Sequence, residues 1–215
     1  MTARGQDALV QRLQEQGVRD PRVLAAFAKV PRDAFVPPDL QAHAWEDRPL
    51  EIGCGQTLSQ PFIVAAMTEA LELRGPERVL EVGTGSGYQT AILRELLEGT
   101  LRSIERVPEL LARASATLAR LGCRDLHLRL GDGALGWPEA APFDAILVAA
   151  APREVPQALL SQLAPGGRLI LPVGPTPEEQ ELQLWRRLES LALEVRTLLR
   201  VRFVPLVSPG EPSPP

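Results

Sequence analysis

The segment Glu81-Val82-Gly83-Thr84-Gly85-Ser86-Gly87 carries the strongest chemical signal, because three alternating glycines directly follow an apolar run. Glycines let the backbone turn sharply after a strand and approach a bound ligand closely. Dinucleotide sites space their glycines as G-x-G-x-x-G, and a phosphate loop ends in Gly-Lys-Ser/Thr, so neither pattern matches. An acid before the loop repels a pyrophosphate and suits a cationic ligand. We therefore predict that Glu81, Gly83, Gly85 and Gly87 bind a cationic small molecule.

Two further acidic positions follow the next two predicted strands. Glu105 closes one strand, where a carboxylate can accept from both hydroxyls of a ribose. Asp132 and Gly133 follow the other, where the acid can accept from an exocyclic amine and glycine leaves room for a flat ring. Taken alone, Glu105 could be a solvated strand end, and Asp132 and Gly133 a plain turn. Together they predict an adenosine that carries a positive group and no phosphate, which is S-adenosylmethionine.

The stretch "GQTLSQP" places the hydroxyls of Thr57 and Ser59 on a turn well before the glycine loop. Such hydroxyls can donate hydrogen bonds to a substrate carboxylate without adding a competing negative charge. Ser59 also fits a second interpretation, because it precedes Gln60 and Pro61, where a serine can cap a helix. The residues leave both roles open.

The elements that must position these residues alternate between strand and helix from residue 77. Strand, helix and strand repeat without hairpin signals, which predicts a parallel sheet with right-handed crossovers and a doubly wound α/β fold. The predicted strands are residues 77–83, 101–105, 126–130, 143–150 and 168–174, and the helices are residues 88–99, 108–122 and 157–167.

The two ends of the chain differ from this pattern. Residues 1–75 lack a strand pattern and predict helices, with a proline-rich loop at 30–58 and a helix at 61–73. Residues 182–188 and 191–207 predict an antiparallel strand pair at one sheet edge. We expect three parts: residues 1–75 as helices and a substrate loop packed on the main domain, 76–207 as the cofactor-binding core, and 208–215 as a disordered tail.

Composition limits the class of protein. With 215 residues, of which 45% are hydrophobic, the chain can bury one sizeable core. The net charge of -4 does not favour binding to nucleic acid or to an anionic membrane, and no apolar stretch is long enough to span a bilayer. The two cysteines form no CxxC pair, so we predict no metal site and no disulfide framework. We expect a cytoplasmic monomer without nucleic-acid or membrane partners.

From about residue 5 to Val207 the chain resembles the protein-L-isoaspartate O-methyltransferase family. The stretches that carry the resemblance are "VPRDAFVP", "GQTLSQP", "VLEVGTGSGYQTAIL", "GDG", "FDAILVAAAP", "LAPGGRLILPVG" and "RFVPL". The resemblance implies a Rossmann-like class I fold with a seven-stranded, mainly parallel sheet. It also implies methyl transfer from S-adenosylmethionine, with S-adenosylhomocysteine as product, to the free carboxylate of isoaspartyl residues in damaged proteins. The resulting ester forms a succinimide, which allows return to aspartate.

The resemblance also implies roles for individual residues. The hydroxyl run Thr57, Leu58 and Ser59 is expected beside the cofactor, with Ser59 as an active-site residue, and Ile52 and Val204 are expected to border the peptide. From the residues alone, Ile52 and Val204 could equally be ordinary packing. Some relatives have a histidine where this chain has Phe62, so a role for that histidine does not transfer.

Competing enzyme classes differ in what they require. Methyltransferases of nucleic-acid amines carry Asn or Asp before Pro-Pro and an aromatic, whereas residues 149–152 here read Ala-Ala-Ala-Pro. A cytosine C5 enzyme needs a Pro-Cys nucleophile, and neither cysteine follows a proline. A small-molecule O-methyltransferase is the alternative, since its cofactor half would look the same. A binder that turns nothing over is a third possibility.

Overall fold

The computed structural model describes residues 2–207 and contains a seven-stranded sheet with helices on both faces. The strands are β1 (Leu50–Gly53), β2 (Gln56–Leu58), β3 (Val79–Val82), β4 (Leu101–Glu105), β5 (Leu126–Leu130), β6 (Phe143–Val148), β7 (Leu163–Val173), β8 (Glu181–Arg187) and β9 (Leu193–Arg200). The helices are α1 (Thr2–Glu15), α2 (Pro21–Lys29), α3 (Pro61–Ala70), α4 (Tyr88–Leu96), α5 (Pro108–Arg120) and α6 (Gln157–Ser161). Short 3-10 turns lie at Arg32–Phe35, Pro38–His43, Gly133–Leu135, Pro138–Ala140 and Pro177–Glu179.

The large sheet has the strand order β5-β4-β3-β6-β7-β8-β9. The pairs β3–β4, β4–β5, β3–β6 and β6–β7 are parallel, whereas β7–β8 and β8–β9 are antiparallel. The predicted doubly wound, mainly parallel fold with an antiparallel edge pair is therefore confirmed. Strands β4 and β5 are added on one side of β3, and β6 and β7 on the other, so the strand order reverses between β3 and β6. In such folds, ligands bind beside the carboxyl ends of the strands at this point.

The core lies on both faces of the sheet. One face packs against α1 to α5, and the aromatic rings of Phe27 on α2 and Tyr88 on α4 meet edge to face at 5.9 Å between centroids. The other face packs against α6, which contributes Leu159 and Leu160. The helices of the first 75 residues thus share a core with the sheet. The boundary near residue 75 stays a prediction.

The first 75 residues also contain a hairpin, so the prediction that they lack strands was wrong. Strands β1 and β2 pair antiparallel around a tight turn, in which Gly53, Cys54 and Gly55 all have positive φ. Strands of this length are too short to show an alternating pattern, and the turn geometry depends on these left-handed residues. The hairpin carries the hydroxyl run to the carboxyl ends of β3, β4 and β6.

Two boundaries in the second half of the chain also differ from prediction. The predicted helix and turn at residues 157–167 shorten to α6, and β7 begins at Leu163, because this segment pairs with β6 through an irregular register. The predicted strand at 191–207 ends at Arg200. Beyond it the chain turns back, and Ala151 pairs in parallel with Pro205. The predicted disordered tail, residues 208–215, lies outside the described residues.

Candidate active site

The glycine loop joins β3 to α4 and is held in place by the neighbouring strand. The amide of Gly83 donates to the carbonyl of Ile104 on β4 at 2.8 Å, and Gly83, Gly85 and Gly87 all have positive φ. A Cβ on Gly87 would lie 3.2 Å from the side chain of Leu118 on α5, so glycine lets the two helices pack closely there. The local sequence therefore fixes an open backbone turn at the carboxyl end of β3.

Glu105 forms the acidic wall of this turn. Its Oε2 accepts from the amide of Gly85 at 2.8 Å, and its Oε1 accepts from the amides of Arg106 and Val107 at 2.8 and 2.9 Å. A carboxylate has about four acceptor positions, so the backbone fixes its orientation and still leaves capacity on Oε2. Glu105 is suited to accept from a ligand hydroxyl in the cleft beside it.

Glu81 lies beneath the glycine loop and is fully buried. Its Oε2 accepts from the hydroxyls of Thr90 and Ser103, both at 2.6 Å, and Ser103 is hydrogen-bonded in turn to Thr84 of the loop. No hydrogen-bond partner reaches Oε1 from the described residues. Burial, helped by the nearby charge of Glu105, raises the pKa of Glu81 to about 8. At neutral pH this carboxyl is therefore mostly neutral.

Two adjoining cavities meet at the hydroxyl run. We call the first, of about 240 Å³, the loop cleft; its lining includes Thr57, Leu58, Ser59, Met67, Gly83, Thr84, Gly85, Ser86, Gln89, Glu105, Gly133, Ala149 and Val204. We call the second, of about 610 Å³, the outer groove; its lining includes Pro49, Thr57, Ser59, Gln60, Ile63, Ala149, Pro177, Arg200, Arg202, Phe203 and Val204. Thr57, Ser59, Ala149 and Val204 line both, so they form the wall between the two spaces.

Thr57 and Ser59 of the hydroxyl run line both of these spaces. Among residues 2–207, neither the Thr57 nor the Ser59 hydroxyl makes a hydrogen bond, although Leu58 between them is buried. Ser59 is not the cap of α3: Gln60 occupies the cap position, and the carboxylate of Asp47 accepts from the first free amide, that of Phe62. The structure therefore leaves both hydroxyls available to a ligand.

Most predicted site residues lie on the loop cleft, but four do not. Glu81 is below it, and Gly87, the cap residue of α4, is behind it. Asp132 caps the turn Gly133–Leu135 through a bond to the amide of Ala134 at 2.9 Å. Ile52 is buried and faces Gly85 on the far side of the loop, where its carbonyl accepts from Arg113 at 2.7 Å. Their assigned contacts with cofactor or substrate stay predictions.

The returning segment 201–207 brings Val204 to the site, and sequence reasoning missed the residue that holds it. The buried side chain of Gln180 donates to the carbonyl of Phe203 at 3.1 Å and accepts from its amide at 2.6 Å. Ala151 and Val204 add a backbone bond at 2.8 Å. No local sequence signal marks Gln180, because its role appears only when the chain folds back.

Comparisons with known proteins agree on one family. The family model described as protein-L-isoaspartate(D-aspartate) O-methyltransferase matches residues 3–211. A protein-L-isoaspartate O-methyltransferase of Anaeromyxobacter dehalogenans (strain 2CP-C) is 60% identical over 199 residues, which cover 92% of this chain and 95% of the relative.

Two solved structures are similar to this chain over most of its length. A structure titled protein-L-isoaspartate O-methyltransferase has a TM-score of 0.83 at 29% identity and covers 94% of this chain, which spans 66% of that protein's length. A Plasmodium falciparum structure is described as a putative protein-L-isoaspartate O-methyltransferase in complex with S-adenosyl-L-homocysteine. It has a TM-score of 0.79, and the match covers 93% of this chain and 97% of the Plasmodium chain. At 24% identity, the second supports the fold alone.

Proposed function

The chain belongs to the protein-L-isoaspartate(D-aspartate) O-methyltransferase family, and we propose that its two adjoining cavities hold the two reactants of that family's reaction. It is a protein repair enzyme that transfers a methyl group from S-adenosylmethionine to the free α-carboxylate of L-isoaspartyl residues in damaged proteins and peptides. The methyl ester then converts through a succinimide back toward aspartate. The family membership decides against a small-molecule O-methyltransferase.

The loop cleft fits S-adenosylmethionine in the chemistry of its walls. The glycine backbone allows close approach, Glu105 can accept from ribose hydroxyls, and Gly133 leaves space where a flat ring would lie. At Gly133 a Cβ would come within 2.2 Å of Val82, so only glycine fits this backbone. When bound, S-adenosylmethionine supplies an electrophilic methyl group, and its product is S-adenosylhomocysteine. We propose that Glu105, Asp132, Gly133 and the glycine loop hold it, with Glu81 supporting the loop from below.

The outer groove is proposed to hold the isoaspartyl peptide. Its position next to Thr57 and Ser59, on the common wall, is the single observation that carries the proposal. The α-carboxyl group of the substrate has an ordinary pKa of about 3.3 to 3.7, so it is ionised at neutral pH and needs no general base. What the enzyme must supply is orientation, and the two free hydroxyls can donate to the carboxylate.

We propose that Val204 and its neighbours form the main-chain side of this groove. Segment 201–207 is irregular, and the amides of Arg202 and Val204 have no hydrogen-bond partner among residues 2–207, so they can bind an extended peptide without reading its sequence. Such binding suits an enzyme that accepts many damaged proteins. Ile52 remains a proposed substrate residue from the family resemblance, although it faces the glycine loop in the structure.

Product inhibition tests the separation of the two sites. If the cofactor and the peptide occupy different cavities, S-adenosylhomocysteine inhibits by competing with S-adenosylmethionine, and raising the isoaspartyl peptide concentration does not fully relieve that inhibition. Complete relief by the peptide would mean that the two reactants share one site, and would contradict the arrangement.

We also propose that the enzyme works as a cytoplasmic monomer without nucleic-acid or membrane partners. Both cysteines are free thiols, which suits a reducing compartment, and the net charge of -4 disfavours polyanions. None of the helices within residues 2–207 is long and apolar enough to cross a membrane. Light scattering should give the mass of a single chain, and a dimer mass would contradict the monomer.

A further inference from the structure

Helix α3 begins directly after the hydroxyl run, and a residue outside the helix caps it. The first amides of a helix lack partners within the helix, and Gln60 at the cap position makes no side-chain bond to them. Pro61 has no amide proton, so Phe62 is the first donor. Oδ1 of Asp47 accepts from the Phe62 amide at 3.0 Å, and Oδ2 accepts from the Gln60 side chain at 3.0 Å. The Asp47 carboxylate thus fixes Gln60, which follows Ser59, and Phe62, which follows Pro61.

The same carboxylate also reaches the N-terminal helices. Oδ2 of Asp47 accepts from the side chain of Gln16, just beyond α1, at 2.7 Å. Asp47 therefore joins the end of α1 to the start of α3. A negative charge at the N-terminus of α3 is also favourable because of the helix dipole.

Arg32 holds the segment that carries Asp47. Its fully buried guanidinium donates to the carbonyl of Ala44 at 2.9 Å and to that of Arg48 at 3.3 Å, on either side of Asp47. Its central carbon lies 5.1 Å from the centroid of the Tyr88 ring, within the range of a cation–π interaction. Tyr88 is the first residue of α4 and follows Gly87. A continuous set of contacts thus connects the glycine loop with the residues next to Ser59.

We propose that Asp47 is a positioning residue for methyl transfer: it fixes the hydroxyl run relative to the glycine loop, with Arg32 anchoring its segment. The proposal rests on the proposed role of Ser59 and adds a residue that no sequence motif pointed to. A small displacement of Ser59 changes how the substrate carboxylate is oriented, and such displacements lower reaction rates strongly. The effect should therefore appear in kcat more than in cofactor binding.

The test compares Asp47→Ala with Glu46→Ala. Glu46 is the adjacent exposed acid; within residues 2–207 its side chain hydrogen-bonds His43 and Arg48 and not α3, so it controls for the loss of one charge. We expect Asp47→Ala to lower kcat with an isoaspartyl peptide by about tenfold or more, while the Kd of S-adenosylhomocysteine changes by less than about threefold. Glu46→Ala should leave both within about twofold of wild type.

Asp47→Asn provides the conservative variant. It keeps an oxygen that can accept from the Phe62 amide and should recover part of the lost kcat. A purely structural role would lower the melting temperature, cofactor affinity and kcat in parallel, and that outcome would overturn the proposal. A kcat within about twofold of wild type in Asp47→Ala would overturn it as well.

Hydrogen exchange tests the contact between Asp47 and the Phe62 amide independently of methyl transfer. In Asp47→Ala the Phe62 amide should exchange faster than in wild type, and in Asp47→Asn, whose neutral oxygen accepts more weakly than a carboxylate, at an intermediate rate, whereas Glu46→Ala leaves it unchanged. Unaltered protection in the Asp47 variants would overturn the capping contact. If wild type methylated no isoaspartyl peptide, the function would fail, while the exchange result would still decide whether Asp47 holds the start of α3.

Discussion

Ser59 illustrates how one residue can fit two roles in sequence and only one in the structure. Its place before Pro61 suits a helix cap, and its place in the hydroxyl run suits a substrate contact. In the structure the capping bond comes from Asp47, while the Ser59 hydroxyl has no partner among residues 2–207 and lies on the wall between two cavities. The hydroxyl is therefore free to act on a ligand.

Replacing Ser59 with alanine should affect catalysis and leave stability nearly unchanged. The lost hydrogen bond to the substrate carboxylate should cost about 1–3 kcal/mol of transition-state stabilisation, seen as a lower kcat/KM. The melting temperature should hold, because the hydroxyl makes no internal bond. Ser161→Ala is a matched control, since that hydroxyl bonds within its own helix segment at the surface. A kcat/KM within about twofold of wild type would remove Ser59 from the active site.

Glu81 makes stability depend on pH. Its ordinary pKa of 4.5 applies to the unfolded chain, and burial raises the pKa to about 8 in the folded protein. The folded state therefore holds the proton more tightly. This contribution to stability is complete below the unfolded value and is lost as pH rises through the folded one.

The variant Glu81→Gln should not show that loss. We expect the melting temperature of wild type to fall, relative to Glu81→Gln, between about pH 4.5 and about pH 8. Thermal unfolding of both proteins across this range measures the difference. Parallel pH dependences would mean that folding does not raise the pKa of Glu81.

At the scale of elements, the parts that sequence predicted best are those with long, buried patterns. Strand β3 is buried at every position, and the glycine loop follows it as predicted. The β1–β2 hairpin was missed because each strand is short and its turn depends on left-handed residues such as Cys54. The return of segment 201–207 was missed because Gln180, distant in sequence from the residues it contacts, holds it in place.

Gly85 in the glycine loop is predicted to be essential for cofactor binding. Gly85 has a φ of +55, a conformation that a β-branched residue adopts only with strain. Gly85→Val should therefore weaken S-adenosylmethionine binding by about 100-fold or more in calorimetric titration. Gly99→Val is the matched control, because Gly99 has ordinary φ and open space around it. Unchanged affinity in Gly85→Val would contradict the cofactor assignment of the loop.

At the scale of the molecule, the class of fold predicted from the sequence is confirmed. The two halves of the proposed site lie far apart in sequence, and the fold brings them to adjoining cavities. The residues of the loop cleft come from the hairpin, from the carboxyl ends of β3, β4, β5 and β6, from helices α3 to α5, and from the C-terminal return. The order of the last two strands was open in the sequence, since it depends on packing at the sheet edge. Asp47 and Gln180 lay outside the predicted site because each acts across distant segments of chain.

The most direct test of the account uses two peptides of the same sequence, one with aspartate and one with isoaspartate at the same position. Labelled S-adenosylmethionine serves as methyl donor for both. The account predicts transfer to the isoaspartyl peptide alone, because the outer groove must place a free α-carboxylate beside Thr57 and Ser59. Equal transfer to both peptides, or transfer to neither while S-adenosylmethionine still binds, would contradict it.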